Sequence, residues 1–488
     1  MSDIAFLPAL ELARRIRQRE LSAVEALQSC LQRLERVDNE INAVVVRDGE
    51  RALKAAQAAD EALARGDTLG PLHGVPMTVK ESFNVAGLPT TYGYEEHRHN
   101  VAQEDAVTVA RLKRAGAVIF GKTNVPVSLA DWQSFNPVYG TTRNPWDTSR
   151  TPGGSSGGSA AALAAGLSYL ELGSDIGASI RNPAHYCGVW GHKPTWGTVP
   201  VAGHQLVPRH AVEAYDIAAV GPLARSAFDL SVALDIVSTP LQAQTALGPV
   251  PLAWRDRGVP LSRLRVALVT DSAEAPVDAS VQASLQALGD FLRRQGVHVD
   301  EAARPVDDAE SWAVYIHLLR SATGSREPEA VWADAGRRAA GFDADDTSYP
   351  ARHFRAIAST HRDWVAMDER RFGLRHRWAA FFERFDLLIC PAAPTPAFPH
   401  NQVGPRWERM VPVNGQGRPS TDGLYWAGYP GVVGLPATAV PIGLSPEGLP
   451  IGAQVVGPAY GDPECLRFAR WLEREYRAFV PPPLQSRK

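Results

Sequence analysis

Two serine-containing segments and one lysine are the residues of this sequence whose types and spacing could do chemistry. The first segment, "TPGGSSGGSAAALAAG" at residues 151–166, places glycines and serines before an alanine-rich run, which predicts a ligand-facing loop leading into a helix. The second, "LGSDIGASIRNPAHYCG" at residues 172–188, places Ser179 after a turn whose backbone N–H groups can converge, as an oxyanion hole requires. No histidine stands in an obvious position to act as the base. Lys80 ends the apolar segment "GVPMTVK", where burial would lower its pKa.

The first segment also contains the G-x-S-x-G pattern twice, which is the nucleophile elbow of many hydrolases. An elbow places its serine directly between a strand and a helix. The residues before it, "GTTRNPWDTSRTP", are polar and include two prolines, so no strand is predicted there. An esterase of this kind, with Ser155 or Ser156 as its nucleophile, remains an alternative.

A further segment, "GAVIFGKT" at residues 116–123, matches the phosphate-binding pattern G-x-x-x-x-G-K-[ST]. A phosphate loop follows a strand and precedes a helix. Here an amphipathic helix is predicted before Gly116, and the four apolar residues after it predict a buried strand. The pattern therefore indicates no nucleotide site.

Helices and short apolar strands alternate along the chain, which predicts an α/β fold with a largely buried sheet. Two helices are expected between residues 8 and 37, and Ser22 followed by Glu25 fits a capping box at the start of the second. The sequence has no internal repeat and no clear linker. We expect one domain over residues 1–488, with a variable region at about 227–383 that could form part of a pocket.

Composition excludes several classes of protein. The 488 residues carry a net charge of −3, which argues against nucleic acid as the main partner. No apolar stretch is long enough to span a bilayer, and no signal peptide is evident, so a cytoplasmic location is expected. The four scattered cysteines and the close pair His97 and His99 suggest no metal site. We expect no metal and no organic cofactor.

Six ordered blocks of the sequence resemble the amidase signature family. The resemblance is dense over residues 70–226 and 384–460, and its blocks are "GPLHGVPMTVKES", "GKTNVP", "TRNPWDTSRTPGGSSGGSAAALAAG", "GSDIGASIRNPAHYCGVWGHKPT", "VGPLARS" and "GLPATAVPIG…GLPIGAQVVGP". It implies a single large domain with a central mixed β-sheet covered by helices on both faces. It also implies a Ser–cis-Ser–Lys triad in which Ser179 is the nucleophile, Ser155 the bridging serine and Lys80 the base. Ser156 and Ser159 are expected to cap the following helix.

The resemblance further implies an oxyanion hole made of backbone N–H groups, those of Ile176, Gly177, Ala178 and Ser179. The family usually has glycine where this chain has Ala178. Because alanine tolerates a positive φ poorly, we predict a negative φ for Ala178.

The resemblance implies a serine hydrolase that cleaves the C–N bond of an amide without a partner. The segment after "KTNVP" lines the acyl side of the pocket in this family, which makes Leu129 and Trp132 candidate substrate-binding residues, and Tyr425 and Trp426 form a second aromatic group. These aromatics predict a small apolar or aryl substrate, with esters and carbamates left open. The chain has "GHKPT" and "RNPA" where glutamine-type amidotransferase subunits typically have "GLKPT" and "RQPA". An amidotransferase subunit is the second alternative, and a monomer or homodimer is expected.

Overall fold

Helices and strands alternate along the chain, as the hydrophobic pattern predicts. The computed structural model describes residues 4–68, 70–204, 215–238, 258–325 and 327–486. The α-helices are α1 (Ala9–Arg17), α2 (Ala23–Arg33), α3 (Asn39–Ile41), α4 (Gly49–Ala64), α5 (Val107–Arg114), α6 (Gly157–Ala164), α7 (Arg181–Cys187), α8 (Ala227–Val237), α9 (Ala279–Arg294), α10 (Asp308–Gly324), α11 (Glu329–Ala339), α12 (Tyr349–Ile357), α13 (His361–Arg384), α14 (Leu424–Gly431) and α15 (Asp462–Glu475).

The strands are short and most of them are fully buried. They are β1 (Val44–Arg47), β2 (Pro76–Lys80), β3 (Val118–Thr123), β4 (Phe135–Asn136), β5 (Gly140–Thr141), β6 (Leu170–Asp175), β7 (Trp190–Lys193), β8 (Ala219–Ala224), β9 (Arg265–Leu268), β10 (His298–Asp300), β11 (Leu387–Pro391), β12 (Met410–Val413), β13 (Gln416–Pro419), β14 (Ala437–Leu444) and β15 (Pro450–Val456).

The central sheet is mixed. Within the described ranges it has eight strands in the order β10-β9-β11-β15-β14-β7-β8-β6. Strand β9 is parallel to β10 and β11, and the remaining pairs are antiparallel. Helices α7, α8, α9 and α15 pack against these strands. The predicted α/β fold with a large mixed sheet is therefore confirmed.

A smaller sheet, in the order β1-β3-β2, brings the lysine to the site. Strand β2 runs alongside β6 of the central sheet, so the end of β2 at Lys80 and the end of β6 at Asp175 lie close together. Strand β3 is the buried strand predicted within residues 116–123, and helix α5 precedes it. This geometry is not that of a phosphate loop.

Local sequence signals locate the ends of two helices. Ser22 and Glu25 form the predicted capping box at the start of α2, with both reciprocal hydrogen bonds present. Helix α4 ends just before Gly66, which has a positive φ of 90°.

The variable region is largely helical and reaches the centre of the molecule. Helix α10 packs against α12, α13 and α14, and α14 lies close to the nucleophile segment. Residues 239–257 and 326 of this region lie outside the described residues. No helix in the described part of the chain is long and apolar enough to cross a membrane.

Candidate active site

Lys80 is a fully buried amine surrounded by hydroxyl groups. Its Nζ donates to Ser155 Oγ at 2.7 Å and to Ser174 Oγ at 2.9 Å, and it lies 3.4 Å from the Ser174 carbonyl. Burial lowers the pKa of Lys80 to about 7, although Asp175 acts in the opposite direction. Lys80 can therefore change between a charged and a neutral amine near neutral pH.

The segment around Ser155 is held in place by its backbone. The peptide bond between Gly154 and Ser155 is cis, as the resemblance implies. A Cβ at Gly154 would lie 2.3 Å from the Asp131 carbonyl oxygen, so only glycine fits there. Ser156 N–H donates to the Ser179 carbonyl at 3.1 Å, which places Ser155 one residue from a direct contact with the Ser179 backbone.

The expected capping roles of the next two serines are wrong. Ser156 occupies the N-cap position of α6, but its side chain makes no capping hydrogen bond and its Oγ points at the Ser174 carbonyl instead. Ser159 Oγ pairs with Thr123 Oγ1 at 2.8 Å. The buried packing of α6 against β3 and β6 gives both hydroxyls tertiary partners. No strand lies directly before Ser155, so the elbow geometry is absent from this segment.

Asp175 organises the turn that carries Ser179. Its carboxylate accepts hydrogen bonds from the backbone N–H groups of Ala178 (2.9 Å) and Ile180 (3.1 Å). Arg181 Nη2 and Nε also donate to it, at 2.8 and 2.9 Å, and both side chains of this ion pair are buried. Burial would raise the pKa of Asp175, but the Arg181 charge outweighs it and holds that pKa below its usual value. Sequence reasoning assigned no role to this pair.

The carbonyl partners of this turn decide where its N–H groups point. Tyr315 Oη donates to the Ile176 carbonyl at 3.0 Å, and Trp132 Nε1 donates to the Gly177 carbonyl at 2.8 Å. In a trans peptide the C=O and the following N–H point in opposite directions. The Gly177 N–H therefore points away from Tyr315, whereas the Ala178 N–H points at Asp175. This bond argues against Ala178 as an oxyanion donor.

The predicted negative φ of Ala178 is wrong, because its φ is 63°. The two oxygens of Asp175 bind the N–H groups on either side of Ser179, and the chain meets both requirements by turning left-handed at Ala178. The tertiary ion pair of Asp175 with Arg181 thus overrides the local preference of alanine.

Similarity to known proteins extends over almost the whole chain. The amidase family model matches residues 25–466. The chain is 33% identical to an indoleacetamide hydrolase from Bradyrhizobium diazoefficiens, covering 95% of this chain and 86% of that protein. It is 34% identical to a glutamyl-tRNA(Gln) amidotransferase subunit from Acidothermus cellulolyticus, covering 98% and 96%. The structure of 6-aminohexanoate cyclic dimer hydrolase superposes with a TM-score of 0.79 at 28% identity, covering 99% of both chains.

The chain belongs to the amidase signature family. It is an amidase. The predicted membership of this family is confirmed.

The predicted substrate-binding residues of this amidase lie in different surroundings. Trp132 contacts the nucleophile turn directly through its bond to Gly177, whereas Leu129 is half-buried in the short turn Val127–Leu129 with a φ of 57°. Tyr425 and Trp426 are fully buried in α14. The Trp426 indole N–H donates to the Ala275 carbonyl at 3.1 Å.

Two residues near the turn were missed by sequence reasoning. A Cβ at Gly177 would lie 3.3 Å from Leu424 Cδ2 and 3.5 Å from Tyr315 Oη, so both side chains face the turn. Leu424 directly precedes the predicted pair Tyr425 and Trp426, and a helical projection of this segment could have included it. Tyr315 lies in the variable region and gave no sequence signal.

A narrow cleft of about 10 Å³, with room for about one water molecule, lies near the turn. Trp132 and Leu424 form part of its wall, together with Phe398 and Val411. Its polar wall includes Asp131, Gln133, Asn401, Arg406, Arg409 and Ser420. In this conformation the cleft is too narrow for a small molecule, and Trp132 and Leu424 connect its apolar wall to the turn that carries Ser179.

Proposed function

We propose that this amidase hydrolyses the C–N bond of a small amide with an apolar or aryl group, through an acyl-enzyme on Ser179. The observation that carries the proposal is the buried hydrogen bond from Lys80 Nζ to Ser155 Oγ at 2.7 Å, with Ser179 held beside Ser155 by the backbone. A buried amine with a pKa near 7 is a base at the pH where amides are hydrolysed in cells.

The reaction begins with Lys80 in its neutral form. Lys80 accepts the proton of Ser155, Ser155 accepts the proton of Ser179, and Ser179 Oγ attacks the amide carbonyl. When the tetrahedral intermediate collapses, the C–N bond breaks and the proton returns through Ser155 to the departing amine. Water then attacks the ester carbonyl with the same relay as base, which releases the acid and restores Ser179.

The oxyanion is stabilised by backbone N–H groups of the turn. We infer that Ile176, Gly177 and Ser179 are the candidate donors, because their N–H groups have no acceptor among the described residues, whereas the Ala178 N–H binds Asp175. Ala178 then positions the turn through Asp175 rather than binding the oxyanion itself.

The substrate class is supported by the apolar part of the cleft. Trp132 and Leu424 present an indole and an aliphatic side chain to the turn, which suits an aryl or alkyl group on the substrate. Leu129, Tyr425 and Trp426 remain predicted pocket residues of lower priority. Esters and carbamates also contain a carbonyl group that Ser179 could attack, so they are further candidate substrates.

An amidotransferase subunit is the competing proposal, since a relative of that kind is 34% identical over 98% of this chain. Such a subunit hydrolyses glutamine and passes ammonia to a partner. The residues His192 of "GHKPT" and Asn182 of "RNPA" depart from the usual pattern of that branch, which supports a hydrolase acting alone.

The first test is labelling of the purified chain with a fluorophosphonate, followed by intact-mass and peptide analysis. We expect one label on Ser179 and none in the Ser179→Ala variant. A label on Ser155 or Ser156 in the wild type would contradict the assignment and favour the elbow alternative.

The second test is turnover by the chain alone on a panel of aryl amides, aliphatic amides, glutamine, aryl esters and carbamates. We expect the largest kcat/KM on an amide with an aryl or alkyl group. Glutamine as the best substrate, with turnover only after a partner is added, would replace the proposal with the amidotransferase one.

A further inference from the structure

A buried arginine on α10 has no carboxylate partner among the described residues. Arg320 is on α10, five residues after Tyr315, whose hydroxyl binds the Ile176 carbonyl. Its exposure is 7%, and its Nε and Nη2 have no hydrogen-bond partner in the part of the chain that the structure describes. A buried guanidinium with unused donors is unfavourable unless another group satisfies it.

A second arginine connects Arg320 to the cleft. Arg406 Nη1 donates to the Ala130 carbonyl at 2.9 Å, and its Nη2 donates to Tyr349 Oη at 3.3 Å. Arg406 also belongs to the wall of the cleft that Trp132 lines. The Arg320 guanidinium carbon lies 5.7 Å from the centre of the Tyr349 ring, so Tyr349 lies between the two arginines.

Of the two arginines, Arg320 has no carboxylate acting on it among the described residues. The Asp131 carboxylate helps to raise the pKa of Arg406, but Arg409 holds this carboxylate in an ion pair at 2.5 Å. Burial lowers the pKa of His353 to about 3, with help from both arginines, so this neighbour is neutral. Burial would raise the pKa of Tyr349, but the charges of Arg320 and Arg406 outweigh it and lower that pKa. An anion is therefore strongly favoured here.

We propose that Arg320 and Arg406, with the Tyr349 hydroxyl between them, bind a carboxylate group of the substrate. Guanidinium groups bind carboxylates through paired, charge-assisted hydrogen bonds. Nε and Nη2 of Arg320 are both available as donors to such a carboxylate. The preferred substrate then joins an apolar or aryl group beside Trp132 to a carboxylate at this pair. The inference rests on the proposed function and narrows its substrate class.

The carboxylate could belong to the acyl part of the substrate or to its departing amine, and two substrate pairs distinguish these cases. On the acyl side, succinyl p-nitroanilide is compared with butyryl p-nitroanilide. On the amine side, N-acetyl-4-aminobenzoate is compared with acetanilide. We expect kcat/KM to favour the anion in one of the two pairs by about 10- to 100-fold, as charge-assisted hydrogen bonds give. Equal kcat/KM within both pairs would overturn the inference.

Variants of Arg320 test whether this side chain causes the preference. In Arg320→Gln and Arg320→Met, kcat/KM for the anionic substrate should fall to that for the neutral one. The kcat/KM for the neutral substrate should stay at its wild-type value. Arg352→Gln is the matched control, because Arg352 lies on α12 and its side chain donates only to the Thr347 carbonyl among the described residues. An equal loss on both members of a pair would indicate a merely structural role and contradict the inference.

Binding of benzoate provides a readout that does not depend on catalysis. Benzoate, but not benzyl alcohol, should raise the melting temperature of the wild type, and Arg320→Gln should remove this shift. The same variant should unfold at the same temperature as the wild type, or higher, without ligand, since an uncompensated charge is removed. Absence of a benzoate shift in the wild type would overturn the anion site. Absence of Ser179 labelling, with the shift intact, would instead overturn the proposed function.

Discussion

Lys80 and Arg181 are both buried cations within the same site, but their surroundings differ. Arg181 lies against the Asp175 carboxylate with two hydrogen bonds of 2.8 and 2.9 Å, and its Nη1 also binds Gln454 and the Ala427 carbonyl. Lys80 has only neutral oxygen atoms within hydrogen-bond distance in the described structure. The ion pair raises the pKa of Arg181 despite its burial, whereas burial lowers the pKa of Lys80 to about 7.

This difference in surroundings distinguishes a charge that stabilises the fold from a group that takes part in catalysis. A buried cation with a carboxylate partner stays protonated and fixes the geometry around it. A buried cation surrounded by hydroxyl groups can lose its proton and act as a base. The variants below test that distinction, beginning with the largest expected effect.

Replacement of the base should have the largest effect on activity. We expect Lys80→Met to reduce kcat/KM by about 10⁴-fold or more, as removal of one member of a catalytic triad does. The matched control is Lys122→Met, because Lys122 is also fully buried and burial lowers its pKa to about 8, although Glu81 opposes this. Active-site titration of the folded fraction gives turnover per molecule. Similar losses per molecule in both variants would contradict a specific role for Lys80.

Removal of the counter-ion should instead reduce stability. Asp175→Asn leaves Arg181 buried without its partner, and we expect the free energy of unfolding to fall by about 3–5 kcal/mol. Turnover should fall as well, because an amide NH2 replaces one of the two carboxylate oxygens that accept from the N–H groups of Ala178 and Ile180. The control is Glu95→Gln, which breaks an exposed pair with Arg98 and should cost less than about 1 kcal/mol. Chemical denaturation measures both. A small loss in Asp175→Asn would mean that the pair does not organise the turn.

The pH dependence should show the titration of Lys80. The neutral form is the base and the pKa of Lys80 is lowered to about 7, so kcat/KM should rise about tenfold per pH unit below that value and level off above it. A pH profile on a substrate without ionisable groups measures this. A break near pH 10, the usual range of lysine, would show that burial does not shift this group.

The smallest expected effect is at Ala178. Its left-handed conformation costs about 1–2 kcal/mol, and glycine would relieve this at an entropic cost of about 0.4–1 kcal/mol in the unfolded chain. We expect Ala178→Gly to raise the free energy of unfolding by up to about 1 kcal/mol. The control is Ala184→Gly inside α7, which should lower the free energy of unfolding by about 1 kcal/mol.

A second substitution at the same position tests whether the turn faces the substrate. Ala178→Val should impair turnover more than stability, because a β-branched side chain is stiff and crowds the turn. Equal turnover of the Gly, Ala and Val variants at position 178 would mean that the turn does not form the oxyanion hole.

Much of the fold could be predicted from local pattern. The capping box of Ser22 and Glu25, the buried strand before Lys80 and the helix that follows Ser155 were all predicted, since each depends on neighbouring residues. The predicted side-chain caps of Ser156 and Ser159 were wrong because the partners of those hydroxyls come from distant strands.

The sequence by itself determined the family and the α/β class and predicted the residues of the proposed triad, because these are carried by ordered motifs and by short-range periodicity. The tertiary structure decided the positive φ of Ala178, the direction of its N–H and the pKa of Lys80, since each depends on groups far away in the chain or on burial. It also decided that Tyr315 and Leu424 face the turn and that Arg320 lacks a counter-ion among the described residues. Charges and hydrogen bonds act through space, and no local pattern records which distant residues the fold brings together.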